Sequence, residues 1–341
     1  MKPGESISET KVVIFTEKSV SLPHSHSKNM TEFGFIEQIR QLFAPLPDQG
    51  FEGIGDDCAV LPLAGGEALV FTTDLLTEGV HFLRHATTAR ELGGKSLAVN
   101  LSDVAAMGVR PVATMLSIAL PHDATQQWAL EFMEGYRALS ERFGTPLVGG
   151  DTTRSESGIT INVTAIGRGA LSHLKRRRDA RPGDTIFVAG ELGASGAGLR
   201  EILAGRFDTP LAAVHRNPKP QVAEGIWFGE HPEVHAMMDL SDGLASDLGH
   251  ILELSHAGAE IDLERIPVAA GADLKTAACG GEDYKLLLTA DAASSERLAA
   301  EFRARFGTPL YPIGRITRGE GLIWLRNGRP EVLDWRGFEH Y

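Results

Sequence analysis

Apolar residues along the chain follow two patterns, a helical period of about 3.6 residues and short continuous runs, which together predict helices packed on strands. Over 32–43 the apolar residues Phe33, Ile36, Ile39, Leu42 and Phe43 recur at helical spacing, and Pro45 and Pro47 end the element. The turn GIGDDCAVL leads into a strand, and 69–72 predicts a buried strand that ends at Thr73 and Asp74. Helices are expected over 91–107, closed by Gly108 and Pro111, and over 124–143. Strands are expected over 113–120, 146–148 and 159–166. The stretch LKRRRDARPGD, 174–184, carries basic and turn residues without apolar period and marks a boundary between halves. Beyond it, strands at 184–189 and 285–288 and helices at 195–204, 246–255 and 292–306 continue the alternation. The pattern predicts an α/β protein of two domains: a tail over 1–29, an N-terminal domain over 30–175 and a C-terminal domain over 176–341.

A chain of 341 residues, 43% apolar, has material for two cores. Its first 29 residues are polar and Ser-rich, with one apolar island at 12–15 that is too short for a secretory signal. They read as a disordered tail or a start-site extension with Met30 as initiator, and His24 and His26 within it as isolated histidines. No run of about 18 apolar residues exists that could span a bilayer. Two cysteines give no disulfide framework, so a reducing, cytoplasmic setting is expected. The net charge of −12 argues against a nucleic-acid partner, and a protein so acidic needs bridging cations to handle phosphates.

Two segments imitate nucleotide-binding loops. ARELGGKS, 89–96, has alanine where a P-loop needs its first glycine, and the preceding HFLRHATT is too polar for a buried strand. FVAGELGASGAG, 187–198, follows a strand, but its glycines do not give G-x-G-x-x-G, so it reads as tight strand-to-helix packing.

The chemistry lies in aspartates set in short motifs of Gly, Ser and Thr. They are Asp56 and Asp57 in GIGDDCAV, Asp74 in FTTDLL, Asp103 in NLSDVAAMG and Asp151 in GGDTT. Asp239 and Asp242 follow in DLSDG, and Glu282 with Asp283 in GGEDY. Any one of them alone reads as a helix cap or turn residue. Together, at the ends of apolar runs, they predict carboxylates converging on one cleft, where mutual repulsion calls for divalent metal. Oxygen donors without clustered His or Cys select Mg²⁺ over zinc, and so many acidic groups suggest several ions. That is the grammar of phosphoryl transfer from a nucleoside triphosphate. Gly149 and Gly150 would let backbone approach phosphate. The thiols Cys58 and Cys279 lack a flanking basic cluster and are expected to be inert.

The motifs GIGDDCAV, TTDLLTEGVHF, KSLAVNLSDVAAMG, GGDTTRS, MDLSDGLASDLGHI and GGEDYKLL, in this order, with the closing DWRGFEH, resemble the thiamine-monophosphate kinase family. That family lies in the aminoimidazole ribonucleotide synthetase-like superfamily, and the resemblance covers about residues 31–340. It implies two α/β domains, with the N-terminal sheets pairing across a homodimer. It further implies ATP and several Mg²⁺ ions acting on thiamine monophosphate. With a phosphate acceptor and no nucleophile–base pair in the sequence, direct in-line transfer is the expected route. The charge and apolar runs already speak against nucleic acid and membrane. Asp57, Thr72, Thr73, Asp74, Asp103, Asp151, Asp239 and Asp242 are then implied to hold magnesium directly or through nucleotide, with Asp56 a lesser candidate. Of these, Asp74, Asp103, Asp151 and Asp242 are expected to be catalytic. Gly150, Asp151, Arg177 and Ser241 are implied at ATP, and His81, Glu282 and Phe338 at the thiamine phosphate. The sequence leaves open which of Arg176, Arg177 and Arg178 points inward, whether His81 is merely structural, and whether Trp335 and Phe338 are core aromatics. Three positions depart from the family: Phe338 replaces tyrosine, Lys285 an acidic residue and Gln221 a basic one. Selenophosphate synthetase and the hydrogenase-maturation dehydratase are rival members. The first carries a reactive Cys in an N-terminal Gly-rich segment and the second a terminal Cys, where this chain has Glu-His-Tyr. A non-catalytic metal-binding module is the rival from another class, although the D-x-[DN]-x-[DN]-G pattern is absent.

Overall fold

The computed structural model describes residues 32–335 and Gly337; the expected tail over 1–29 and Phe338 lie outside the described residues. Two sheets form, one in each half. The first takes the order β1-β2-β5-β3-β4 from β1 (Ala59–Pro62), β2 (Glu67–Thr77), β3 (Arg110–Leu120), β4 (Leu147–Arg154) and β5 (Thr160–Ala170). Helices α1 (Glu32–Phe43), α2 (Ala89–Ala106) and α3 (Gln126–Phe143) accompany it, α1 with the bounds read from sequence. Alternation drives the sheet: in β5 the inward positions Ile161, Val163 and Ala165 are wholly buried while their neighbours are half-exposed. The parallel neighbours β3 and β4 are joined by α3, as a crossover requires.

The second sheet has the order β12-β11-β8-β10-β6-β9-β7. Its strands are β6 (Thr185–Val188), β7 (Val234–Asp239), β8 (Gly258–Asp262), β9 (Leu286–Ala290), β10 (Tyr311–Thr317), β11 (Gly321–Arg326) and β12 (Arg329–Glu331). Around it lie α4 (Ala194–Leu203), α5 (Pro210–Arg216), α6 (Val222–Gly229), α7 (Leu244–Ser255), α8 (Leu274–Cys279) and α9 (Ser295–Phe306).

Some expectations need correction. β2 does not stop at Thr73 and Asp74; an unbroken antiparallel register with β5, from Glu67↔Ala170 to Thr77↔Thr160, carries it three residues further. β4 likewise runs through GGDTTR, because Met115 to Leu120 of β3 pair with Gly149 to Arg154. Strict alternation fails at the C-terminal end, where β10, β11 and β12 follow one another. The two imitations behave as read: ARELGGKS lies on α2, and FVAGELGASGAG connects β6 to α4. There Gly193, at φ 88°, comes so close to α8 that a Cβ would sit 2.9 Å from the Ala277 nitrogen.

α2 is the element that positions the site. It starts in a capping box, with Thr88 accepting from the Glu91 amide and Glu91 reaching back to Thr88. It is buried on nearly every side, between the first sheet, α3 and the second half. Glycine permits the contact with α3, since a Cβ on Gly93 would lie 1.9 Å from the Phe132 carbonyl oxygen.

Candidate active site

Because β2 alternates, Thr72 and Asp74 share the face turned to α2, and Thr73 takes the other. The Thr72 hydroxyl donates to Asp103 Oδ2 of α2 at 2.5 Å, and the Asp74 amide donates to Asn100 Oδ1 at 3.1 Å. Asp57 arrives from the turn before β1, and Asp239 ends β7. One oxygen each of Asp57, Asp103 and Asp239 gathers within 4.8 Å, joining three of the motifs read from sequence.

Burial first, and then the neighbouring charges of Asp74, Asp239 and Asp57, holds the Asp103 carboxyl well above the usual range. Burial and Asp57 push Asp239 up to about 8, and burial with Asp242 and Asp57 pushes Asp74 to about 6. Asp56 rises to about 6, again mainly by burial, while accepting from the Arg177 amide at 2.7 Å. The basic run is resolved by geometry. Arg177 turns inward and donates from Nη2 to Asp57 Oδ1 at 2.6 Å, whereas Arg176 and Arg178 both pair with Glu52.

Asp57 Oδ2 and Asp239 Oδ2 are buried with no hydrogen-bond partner. Orphaned oxygens inside a cluster whose members repel one another fit a hard divalent cation, and the donor set is all oxygen. The thiol beneath, Cys58, is buried and pushed up by that burial, in keeping with an inert role.

A second group lies close by, since the Asp242 charge bears on Asp74. The loop after β7 carries Ser241 and Asp242, and the GGEDY loop pairs with it: the Glu282 amide donates to the Ser241 carbonyl at 2.6 Å and the Tyr284 amide to Leu240 at 2.9 Å. Asp247 Oδ2 holds the same loop by accepting from the amides of Asp242 and Gly243 at 3.1 and 2.9 Å. Glu282 and Tyr284 adopt φ values of 64° and 49°, a region that side chains rarely occupy outside sites the surroundings enforce.

Glu282 Oε1 lies 2.9 Å from Lys95 Nζ and Oε2 lies 3.3 Å from His215 Nδ1. Burial and the nearby Lys95 push His215 down to about 4, so it is neutral near pH 7, and the Lys95 ammonium is the cation that meets the carboxylate directly. His81 stands at the turn after β2. Its Nδ1 accepts from the Thr77 amide at 3.0 Å, which leaves the ring proton on Nε2.

Other expected residues fall elsewhere. The Thr73 hydroxyl donates to Val163 O and bonds to Asn162 and Thr164 on β5, away from the cluster. Gly150 and Asp151 lie on β4, and the register Leu75↔Asn162↔Ser117↔Asp151 sets Asp151 three strands from β2. Gln221 ties β6 to β9, donating to the Ala189 carbonyl and accepting from the Leu286 amide, both at 2.7 Å. Trp335 packs edge-on against Trp324 in the core. Lys95, Asn100, His215 and Asp247 escaped the sequence reading. For Lys95 the signal was a single charge inside an otherwise small and apolar helical stretch.

Models of AIR synthase related proteins match the chain twice, the N-terminal domain over residues 55–169 and the C-terminal domain over 181–324. The thiamine-monophosphate kinase of Escherichia coli K12 is 37% identical over 305 residues, covering 85% of this chain and 91% of the relative. That of Haemophilus influenzae is 34% identical over 92% of this chain and 98% of its own. A structure of AaThiL complexed with AMPPCP and TMP superposes with a TM-score of 0.79 at 30% identity, covering 93% of this chain and all of that one. The thiamine-monophosphate kinase of Stenotrophomonas maltophilia gives 0.71 at 36% identity, with coverages of 90% and 100%.

Proposed function

The chain belongs to the thiamine-monophosphate kinase family of AIR synthase related proteins, and on that footing we propose that it transfers the γ-phosphate of ATP to thiamine monophosphate, yielding ADP and thiamine diphosphate. The observation that carries the reading is the meeting of Asp57, Asp103 and Asp239, with two buried oxygens that lack a hydrogen-bond partner among the described residues. Magnesium, when bound, would neutralise charge between the triphosphate and the acceptor. Asp57, Asp103 and Asp239 would hold it, with Asp74 and Asp242 beside them and more than one ion served.

Arg177, Ser241 and the Gly150–Asp151 backbone are proposed at the nucleotide, and His81 and Glu282 at the thiamine phosphate. The acceptor is a phosphate oxygen whose second pKa is near about 6, so it is largely ionised at neutral pH and needs no general base. The chain's own groups agree. Burial works to raise the Glu282 carboxyl, but Lys95, His215 and His81 together outweigh it and hold the group below its ordinary range, which makes it a poor proton acceptor. A direct in-line transfer therefore asks the residues for alignment and charge balance, and no phosphorylated enzyme forms. The protein is proposed to work as a cytoplasmic homodimer. Its two cysteines form no disulfide, which suits reducing conditions, and among the described residues no helix is long and apolar enough to cross a membrane.

The test mixes the protein with ATP, Mg²⁺ and thiamine monophosphate and follows ADP and thiamine diphosphate together. Equal release of both supports the proposal. ADP release without thiamine diphosphate, or dependence on another acceptor, overturns it.

A further inference from the structure

On α2, Glu91 and Lys95 stand one turn apart and so share a face, which is turned to α5. Glu91 Oε1 accepts from Arg216 Nε at 2.9 Å, and Lys95 reaches Glu282, whose other oxygen meets His215, the neighbour of Arg216. Lys95 is only 2% exposed. A buried ammonium in a helix contact gives no better packing than an aliphatic side chain of its size, because desolvation offsets the attraction, whereas removing one partner strands the other charge. The residue is better explained by what it places than by what it stabilises.

It places two groups. Lys95 Nζ donates to the His81 carbonyl at 3.3 Å, anchoring the turn in which the His81 amide bonds back to Thr77 and Gly79 takes φ 85°. The same ammonium meets Glu282 Oε1 at 2.9 Å, at a residue held in the left-handed region where its own backbone preference would not keep it. His81 belongs to the first half and Glu282 to the second, and one lysine fixes both.

We propose that Lys95 is a positioning residue of the acceptor site: its buried ammonium draws the Glu282 carboxylate and the His81 turn to one point and so sets the shape of the thiamine monophosphate pocket. The proposal rests on the reading that His81 and Glu282 hold the acceptor. Without Lys95, the half-buried Glu282 carboxylate is left beside a neutral histidine and leaves its place or takes up a proton, while the His81 turn loses its anchor.

Steady-state kinetics with each substrate varied in turn, on wild type, Lys95→Met, Lys95→Arg, Glu282→Gln and the Lys95→Met/Glu282→Gln double variant, tests this. Lys95→Met is expected to raise KM for thiamine monophosphate tenfold or more and to leave KM for ATP within twofold. Lys95→Arg restores part of the loss, since a guanidinium can donate to both partners. The double variant is expected to be no more than twofold worse than Glu282→Gln, because the two residues act through one contact. If Lys95→Met does not fold, Lys95→Gln carries the same comparison. Equal rises in both KM values, or effects that multiply in the double variant, overturn the proposal. Wild-type protein inactive on thiamine monophosphate defeats the functional reading itself, whereas active wild type with an unaffected Lys95→Met defeats only the role of Lys95.

Discussion

At the scale of single residues, the proposed metal role of the aspartate cluster sets its buried, mutually repelling carboxylates against the stability of the metal-free fold. Asp74→Asn and Asp103→Asn keep the shape and hydrogen bonds of the side chains while weakening cation binding. Both are expected to melt within a few degrees of wild type, because Asp103 is already held toward its neutral form by burial and its acidic neighbours. Activity is expected to fall at least about a hundredfold, as a loss of several kcal/mol of charge stabilisation costs two decades or more. Near-normal turnover of either variant at ordinary magnesium would remove that residue from the metal assignment. His215 gives a prediction of the opposite electrostatic kind. Its folded pKa, about 4, lies below the unfolded value of about 6.5, so the unfolded chain binds the proton more readily. The stabilisation is therefore full above about pH 6.5 and is lost as pH falls toward 4, amounting to about 2 to 3 kcal/mol for a group this well buried. Denaturant melts of wild type and His215→Gln at pH 7 and pH 4.5 check it. Wild type should lose more stability than the variant over that interval, and parallel losses would show that the His215 pKa is not depressed by the fold.

At the scale of elements, α2 carries Lys95, Asn100 and Asp103, and its placement depends on glycine. A Cβ on Gly135 of α3 would come 1.9 Å from the Arg90 carbonyl oxygen, which no rotamer change can relieve. Gly135→Ala is expected to force the two helices apart and destabilise the protein by about 1 to 3 kcal/mol. KM for both substrates should rise with it, as α2 shifts under the site. Unchanged melting and kinetics would mean that the helix pair has slack. Gly135 also shows what the sequence displays and what it hides. Where an element is bounded by its own residues, as α1 is by Pro45 and Pro47, its limits are legible. Where pairing across the sheet decides, they are not: Thr73 to Thr77 and Gly149 to Arg154 are polar or glycine-rich, yet β5 and β3 hold them as strand. The site divides the same way. Asp57, Asp103 and Asp239 announced themselves by their motifs, but the tie between Lys95 and Glu282 spans 187 positions of chain, and no local pattern encodes it.

At the scale of the whole molecule, the first sheet ends in an edge that no other described residue covers. β4 is exposed along its length, and Leu147, Val148 and the neighbouring Met115 present apolar side chains there. A groove lined by Leu116, Ile118, Phe132, Met133 and Leu147 opens beside it and reaches Gly150 and Asp151. A long edge strand of this kind pairs with other chains unless charge or a covering element prevents it, and within β4 only Asp151 and Arg154 carry charge. A second copy is the partner the proposed homodimer offers. Pairing also bears on the nucleotide: Asp151 lies three strand spacings from Asp74, about 14 Å at roughly 4.8 Å each. Within one protomer the GGD motif is thus remote from the acidic cluster, and the proposed homodimer would have to bring a second copy's GGD motif to it. Val148→Lys places a charge at the exposed start of this edge while leaving the acidic cluster and the Glu282 loop untouched. Sedimentation at matched concentrations should show wild type at twice the mass of the variant, and the variant should bind ATP at least about tenfold more weakly with its melting temperature little changed. A monomeric wild type would refute the pairing, and a monomeric variant with full ATP affinity would show that each protomer's nucleotide site is complete without the partner's β4.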